Sequence, residues 1–382
     1  MFRDTTKDAH DAHILDGVHI LDGVACACEA GCVDNGSGQC LPAAETEGPA
    51  SSPSCRNGLD DDGDGLKDLE DSGCWDVSNF SSVFPALIGS SGLGKIDLTG
   101  AKSPVTISSD DGRIVDGAGH VLRHSGTGLR DGVSFQLLSQ DNATAEIAAV
   151  FTAVSLELPK GLVVRGVGSK PLVLLLRGDA KIGGLIDVGA QGLTGARPAD
   201  GDTLPGPGGR SGGFPGYAGA GPGAGHVGSQ VPVFSDHGAA GGGGAGHGAL
   251  GGKGGDGLDN NKKGYAGGAA GPAYGSSACR PLQGGSGGAG GQREHWKEPM
   301  EAGAGGAGGG ALQISAGGMV TIARGGGIIA SGGGGGGALA MGSGGGGGSG
   351  GTILVEATLV VVEGGGAWLS ANGGGGGSGD CI

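Results

Sequence analysis

The number and distribution of glycines constrain this chain more than any other feature of its sequence. The 382 residues include 98 glycines, but only 3 tryptophans, 3 tyrosines and 7 phenylalanines. A usual chain has roughly 7% glycine. Most of the glycines follow residue 200, and the runs 332–337 and 344–348 are unbroken. This composition excludes an ordinary enzyme fold throughout the chain.

A collagen triple helix is the first structure that so much glycine suggests. It requires glycine at every third position and abundant proline, because only glycine fits at the crowded axis. The unbroken runs have no such spacing, and the chain has only 16 prolines. The sequence therefore excludes collagen.

Short apolar segments bounded by Gly, Asp, Ser or Pro fill residues 77–196, and this pattern predicts β-strands. The expected strands lie at 95–98, 104–107, 113–116, 121–123, 133–138, 155–158, 162–165 and 171–177. Residues 143–154 (ATAEIAAVFTAV) are the one stretch here for which the sequence favours a helix.

A repeat of three strand-like segments appears in the glycine-rich half. Residues 311–316, 319–322 and 328–332 match 352–357, 360–363 and 369–373 at a constant offset. A looser copy runs through 173–177, 180–182 and 185–189. Recurring units of three short strands are typical of a parallel β-helix or related β-solenoid, in which each unit buries its apolar face on the next. We therefore expect an all-β chain, with glycine-rich insertions that leave the coils at one corner.

The glycine runs have two interpretations. An isolated run is a flexible linker, because glycine loses the most backbone entropy on ordering. Neighbouring extended runs with three residues per turn, as in polyglycine II, lack side chains and so can hydrogen-bond backbone to backbone. The regular strand segments on both sides of the runs favour such bundling.

Cysteines cluster near the amino terminus. Cys26, Cys28, Cys32, Cys40, Cys55 and Cys74 lie within residues 25–76, and Cys279 and Cys381 follow far downstream. Their even number favours disulfides. A zinc site is the alternative, but the spacing lacks the paired C-x2-C pattern typical of one. The first residues contain no apolar segment typical of a secretory signal, although disulfides indicate an exported chain.

An aspartate-rich loop lies between Cys55 and Cys74, which we expect to be bonded to each other. Counting Asp60 as position 1, carboxylates fall at positions typical of a twelve-residue calcium loop, and glycine falls at position 6. The predicted calcium ligands are Asp60, Asp62, Asp64, the Leu66 carbonyl, Asp68 and Asp71. The alternative is an acidic turn that stays solvated.

The frame CxNGxDxDxDGxxDxxDxxC of residues 55–74 resembles the calcium motif of secreted myxobacterial and related proteobacterial surface proteins. It is more distantly similar to thrombospondin type 3 repeats. Residues 165–378 also resemble the glycine-rich portion of such myxobacterial proteins, through KPLVLLLRG (170–178), IGGLID (182–187) and LSANGG (369–374). The resemblance implies an exported surface or matrix role and no reaction.

Other candidate sites are weaker. GGKGGDGLD (251–259) matches one copy of a nonapeptide calcium repeat, whose sites need tandem copies. His120 and His124 flank a strand-like segment, where their spacing leaves them on one face but far apart. No Gly-x-Ser-x-Gly elbow or phosphate loop lies in the required setting. We therefore expect no enzyme activity.

The charge of the chain limits its partners. The formal net charge is −15, and both nucleic acid and anionic membranes require clustered cations. No stretch is long and apolar enough to predict a transmembrane helix.

Four regions follow from these patterns: a flexible segment (1–24), a cysteine-rich calcium module (25–76), a β-rich domain (77–196) and a glycine-rich β-solenoid (197–382). The sequence favours an extracellular, non-enzymatic structural or cell-surface protein that self-assembles. The first alternative is an adhesin for a receptor or cell-surface glycans, with residues 292–300 as its contact loop. A carbohydrate-active β-helix enzyme is the second.

Overall fold

The computed structural model describes Leu87 and residues 90–140, 146–192, 203–229, 239–258, 263–292, 302–338 and 342–379. It also describes the backbone of two short strands near the amino terminus, β1 (Cys32–Asp34) and β2 (Cys40–Pro42), which pair antiparallel. The predicted segment 1–24 and the rest of the predicted cysteine-rich module lie outside the described residues.

Every element with described bounds is a β-strand, so the described part of the chain is all-β, as the sequence predicted. After β2 the strands are β3 (Ile96–Asp97), β4 (Val105–Ser108), β5 (Ile114–Val115), β6 (Val121–Arg123), β7 (Gly128–Arg130), β8 (Val133–Ser139), β9 (Ile147–Ala153), β10 (Leu156–Leu158), β11 (Val163–Val167), β12 (Leu172–Leu176), β13 (Ala180–Ile182), β14 (Leu185–Asp187), β15 (Gln191–Gly192), β16 (Thr203–Leu204), β17 (Gly257–Leu258), β18 (Gly264–Tyr265), β19 (Ala311–Ile322), β20 (Gly327–Ile329), β21 (Thr352–Val362) and β22 (Trp368–Ser370).

The predicted strands of residues 77–196 are all present. The prediction of a helix over 143–154 is wrong, because Ile147–Ala153 forms β9. Six of the seven residues of β9 are buried between β8 and β12. A helix would present only one face to such neighbours, so burial in a sheet overrides the alanine-rich local preference.

Successive groups of strands stack in parallel on one another. We name them unit one (β9, β10, β11), unit two (β12, β13, β14), unit three (β19, β20) and unit four (β21, β22). The first strand of each unit pairs with the first strand of the next, through β9, β12, β19 and β21. The second strands also pair, because β10 pairs with β13. The long strand β19 supplies the next partner, since its second half pairs with β13. The last strands of the units pair in the order β11, β14, β20 and β22, and β4 continues this row on the other side of β11.

These pairings place strands on either side of residue 196 in the same two sheets, of nine and seven strands. The apolar core lies between the sheets and is built from ladders of aligned side chains. Phe151, Leu174, Ile314 and Val355 occupy the same position in units one to four; the first three are buried in one core cluster, and the partly buried Val355 packs against it. Burying each such side chain stabilises the fold by about 1.5–3 kcal/mol.

The register between units three and four differs from the predicted alignment by one residue. The constant offset matched Met319 with Val360, but the structure pairs Met319 with Leu359. Two glycines, Gly317 and Gly318, stand opposite the single residue Thr358 in an irregularity of the ladder. The Thr358 hydroxyl donates to the Gly317 carbonyl at 2.8 Å. Because a one-residue slip turns every following side chain to the opposite face, this local shift decides which side chains enter the core.

Antiparallel strands close the amino-terminal end of the stack. In one sheet β8 and β7 continue beyond β9, and in the other β5 and β6 continue beyond β4. At the opposite end β21 and β22 are the outermost strands. Among the described residues, no helix has the length and hydrophobicity that a membrane crossing requires.

Candidate functional site

The sequence-predicted calcium ligands Asp60, Asp62, Asp64, Leu66, Asp68 and Asp71 all lie outside the described residues, as do Cys55 and Cys74. The predicted contact loop 292–300 is also outside, except for Gln292. Within the described part of the chain, no three His, Cys, Asp or Glu side chains come together as a group that could hold a metal ion.

The nonapeptide segment contains one described carboxylate, that of Asp256. It accepts hydrogen bonds from Lys253 Nζ and from the Gly267 amide, both at 2.7 Å. The bond from Lys253 and then that from Gly267 lower the pKa of Asp256. Asp256 therefore pairs with groups of its own protein.

His120 and His124 each pair with a separate aspartate. His120 Nδ1 lies 3.2 Å from Asp116, and His124 Nδ1 lies 2.9 Å from Asp131. Both histidines are largely exposed. The two rings belong to separate turn contacts and do not form a common site.

A buried arginine that the sequence analysis did not identify holds the antiparallel end together. Arg123 on β6 is fully buried and lies over the Phe135 ring, 5.4 Å from its centroid. Its guanidinium donates to the carbonyls of Val133, Gly112, His124, Gly126 and Gly128 at 2.6–3.0 Å. Burial lowers the pKa of Arg123, and the five carbonyls replace the water that the cation loses.

The largest assembly outside the sheets is built from the glycine runs. The first begins after β14, the second after β20 and the third after β22, so each leaves the stack after the last strand of a unit. We call their extended segments the glycine bundle. It comprises residues 206–220, 223–228, 239–246, 251–256, 266–272, 284–292, 302–310, 331–338, 342–351 and 371–378.

Segment 284–292 lies at the centre of the glycine bundle, and its amides point in three directions in turn. Gly285, Gly288 and Gly291 donate to residues 309, 306 and 303 at 2.7–2.9 Å. Gly287 and Gly290 donate to residues 220 and 217, and Ala289 and Gln292 donate to residues 243 and 240. The period of three is that of an extended helix with three residues per turn, which has no internal hydrogen bonds of its own.

Close packing explains why these segments consist of glycine. A Cβ atom on Gly287, Gly288 or Gly291 would overlap the carbonyl oxygen of Ser211, Gly346 or Ser343, respectively. Segment 284–292 reads GGSGGAGGQ, so its side chains occur only at every third position. The side chains of this segment thus recur with a period of three. The unbroken glycine runs have no side chains that could show such a period.

The serines at such positions form hydrogen bonds of their own within the glycine bundle. The Ser286 hydroxyl accepts from the Gly223 amide at 3.0 Å, and the Ser349 hydroxyl accepts from the Ser286 amide at 2.8 Å. Ser343 donates to the carbonyls of Ala240 and Gln292. All three serines are buried. Their hydroxyls therefore pair with backbone amides or carbonyls of neighbouring segments inside the glycine bundle.

A cleft of about 660 Å³ lies between the glycine bundle and unit four. Its lining includes His247, Tyr274, Cys279, Ile353 and Ala371. The His247 and Tyr274 rings stack with their centroids 4.5 Å apart. His247 Nδ1 lies 2.9 Å from the Gly350 carbonyl, and the Tyr274 hydroxyl donates to the Gly284 carbonyl. Both aromatic side chains are thus fixed to the backbone of the glycine bundle.

Burial raises the pKa values of two side chains that line the cleft. Burial, and then the nearby Glu356 carboxylate, raises the pKa of the Cys279 thiol. Burial likewise raises the pKa of Tyr274. Since the thiolate is the reactive form of cysteine, this environment suppresses its nucleophilicity. A nearby hydroxyl, that of Ser276, donates within its own turn to the Arg280 carbonyl.

No family model, curated protein or solved structure matches this chain.

Proposed function

We propose that this chain is an extracellular, non-enzymatic surface or matrix protein that acts as a rigid scaffold. In this proposal units one to four are the coils of a β-solenoid, and the glycine bundle is a polyglycine II-like body built on them. The two parts share a continuous backbone hydrogen-bond network, because the Gly351 amide donates to Ala330, next to β20, and the Thr352 amide of β21 donates to Gly310.

The observation that supports this function most is the threefold pairing of segment 284–292. Each glycine that enters such an arrangement loses much backbone entropy, about 1–2 kcal/mol per residue. Glycines supply no side chains for catalysis. They do form a closely packed body in which backbone amides pair with backbone carbonyls, and a rigid body of this kind suits a structural protein or a support for a binding surface.

The cysteine-rich segment fits the same proposal as a calcium-stabilised, disulfide-bonded module at residues 25–76. Disulfides form in oxidising compartments outside the cytosol, and the five aspartates of the predicted ligand set repel one another unless a cation is bound. The predicted ligand set and the Cys55–Cys74 bond are therefore part of the proposal.

A second candidate function, an adhesin, is favoured by an exposed aromatic pair on the glycine bundle. Phe214 and Tyr217 are 73% and 70% exposed. They are held at either end of a tight turn by the hydrogen bond from the Tyr217 amide to the Phe214 carbonyl. Exposed aromatic side chains on a rigid support are suited to contact with a partner, such as the sugar rings of a surface glycan.

The two functions predict different behaviour of the purified chain. A structural protein should assemble as its concentration rises, whereas an adhesin should bind immobilised glycans or cell surfaces, and Phe214→Ala with Tyr217→Ala should abolish that binding. Tyr265→Ala, which changes a buried tyrosine, is the control for the loss of an aromatic ring alone. A chain that neither assembles nor binds any surface contradicts both functions.

A further inference from the structure

The two ends of the strand stack differ. At the amino-terminal end, antiparallel strands extend the sheets beyond β9 and β4, and the two-residue β3 pairs parallel with β10. At the carboxy-terminal end β21 is an eleven-residue strand whose only sheet partner among the described strands is β19. Long, flat edge strands are templates for pairing with another chain, and most proteins protect them with charges, prolines or bulges.

The open end is apolar. Leu359, Val360 and Val362 on β21 are 54%, 41% and 38% exposed, and Trp368 and Leu369 on β22 are 42% and 39% exposed. Glu356 is the only charged residue in β21, and its carboxylate accepts hydrogen bonds from Gln313 and Ser315 of β19. The end therefore lacks the charges that normally protect an edge.

The hydrogen-bonding groups that β21 leaves open follow from two observed bonds. The Thr352 amide donates inward to Gly310, and the Glu363 amide donates inward to Ile322. Because amides alternate in direction along a strand, those of 353, 355 and 357 point outward when counted from Thr352. Those of 362, 360 and 358 point outward when counted back from Glu363. The alternation of amide directions therefore changes between Ala357 and Thr358, where the ladder with β19 is irregular opposite Gly317 and Gly318.

This outward set is symmetric about the bond between Ala357 and Thr358. Four residues of this set also have side chains on the core side of the sheet. Ile353 and Val355 stack beneath the buried Leu312 and Ile314. Val360 and Val362 stack in the same way beneath the buried Val320 and Ile322. The edge is thus self-complementary in both its hydrogen-bonding groups and its apolar side chains.

We propose that β21 pairs antiparallel with β21 of a second copy of this chain, forming a twofold dimer through the open end. Val355 then lies opposite the partner's Val360, and Ile353 lies opposite the partner's Val362. Opposite residues in an antiparallel pair have side chains on the same face, so the apolar cores of the two copies meet across the axis. Such an interface is isologous, the commonest arrangement in soluble oligomers.

Charge and end structure favour a second copy in this orientation. In the proposed register Glu356 lies opposite Leu359 of the partner, so the two glutamates are not opposed. A head-to-tail contact would require a long open edge at the other end, where the outermost strands β3, β6 and β7 have only two or three residues each. Pairing of carboxy-terminal ends is therefore the arrangement that extends the nine-stranded sheet.

The mass of the full chain in solution tests the proposal. Light scattering after size exclusion should give twice 36.2 kDa, and Val360→Lys should halve that mass. Ile147→Lys is the matched control, because Ile147 has a similar exposure of 43% but lies on β9 beside the closed end. It should remain dimeric. Val360→Pro is the second variant, since it removes only an outward amide and edge strands tolerate proline there.

Amide exchange followed by NMR distinguishes the occupants of the edge. In a dimer the outward amides of Val355 and Val360 are protected and lose protection on dilution, whereas the inward amides of Leu354 and Val361 stay protected. A monomer at every concentration would overturn the proposal, as would a dimer that both Val360 variants leave intact. Protection of the outward amides in a monomer would mean that another segment of the same chain covers the edge, which also overturns it.

Discussion

Gly346 and Gly243 pack so closely in the glycine bundle that a Cβ atom on Gly346 would overlap the carbonyl oxygen of Gly243. The two residues belong to different glycine runs, and hydrogen bonds from Gly242 to Gly344 and from Ala245 to Gly347 hold those runs side by side. The contact makes the glycine at 346 a packing requirement rather than a source of flexibility.

Gly346→Ala should therefore destabilise the fold by about 1–3 kcal/mol, the usual effect of overpacking. Gly334→Ala is the matched control, because Gly334 lies in a similar run but is exposed, and the nearest atom to an added Cβ would lie 3.6 Å away. That change should alter stability by no more than about 0.5 kcal/mol. Thermal unfolding of both variants checks the prediction. Equal effects would mean that the runs do not pack as described.

Arg123→Met should destabilise the fold by about 3 kcal/mol or more, because it leaves five backbone carbonyls without the guanidinium. Arg130→Met, at an exposed arginine of the next strand, should have little effect. Denaturant unfolding of the two variants measures the difference. Similar stabilities would show that the network around Arg123 contributes little.

Asp116 should make stability depend on pH in the acid range. Burial would raise the pKa of this carboxylate, but hydrogen bonds from Lys102, His120 and Ala118 outweigh it and lower the pKa to about 2. The unfolded value is about 3.9, so the contribution is present above pH ~4 and is lost as the pH falls towards about 2. Asp116→Asn should be less stable at neutral pH, and the difference should shrink in that window. A difference that stays constant with pH would refute the role.

Calcium should raise the thermal stability of the chain by binding the aspartate loop of residues 60–71. Calorimetry should detect heat of binding, and Asp60→Ala with Asp64→Ala should remove both the heat and the stabilisation. Asp110→Ala with Asp111→Ala removes the same charge elsewhere and should leave the calcium effect unchanged. Absence of binding heat in the native chain would exclude the calcium site.

Cys55 and Cys74 should be recovered as one disulfide-linked pair of peptides after digestion without reductant. Closing the roughly twenty residues between them stabilises the fold by about 3 kcal/mol in the chain-entropy model. Reduction should therefore lower the stability of the module in calcium. Recovery of either cysteine as a thiol, or with another partner, would contradict the pairing.

Much of the fold could be predicted from local pattern. Apolar segments such as 104–107 and 162–165 end at turn residues, and each forms a strand. The repeat that relates β19 to β21 was visible because stacked units place similar side chains at the same position. The prediction over 143–154 failed because the alanines of β9 are buried by strands from elsewhere in the chain. The role of Arg123 could not be predicted, since its five acceptors come together only when the hairpins fold.

The sequence by itself determined that the described part of the chain is all-β, that its units recur, and that its second half is unusually rich in glycine, the residue without a side chain. These properties follow from composition and spacing, which act over a few residues. Only the tertiary structure decided which glycines are indispensable, how unit four aligns with unit three, and that Thr358 lies opposite Gly317 and Gly318. The physical reason is that glycine has no side chain, so the sequence of a run does not specify which other run packs against it. The strands to which the runs are joined fix their positions and thereby their neighbours.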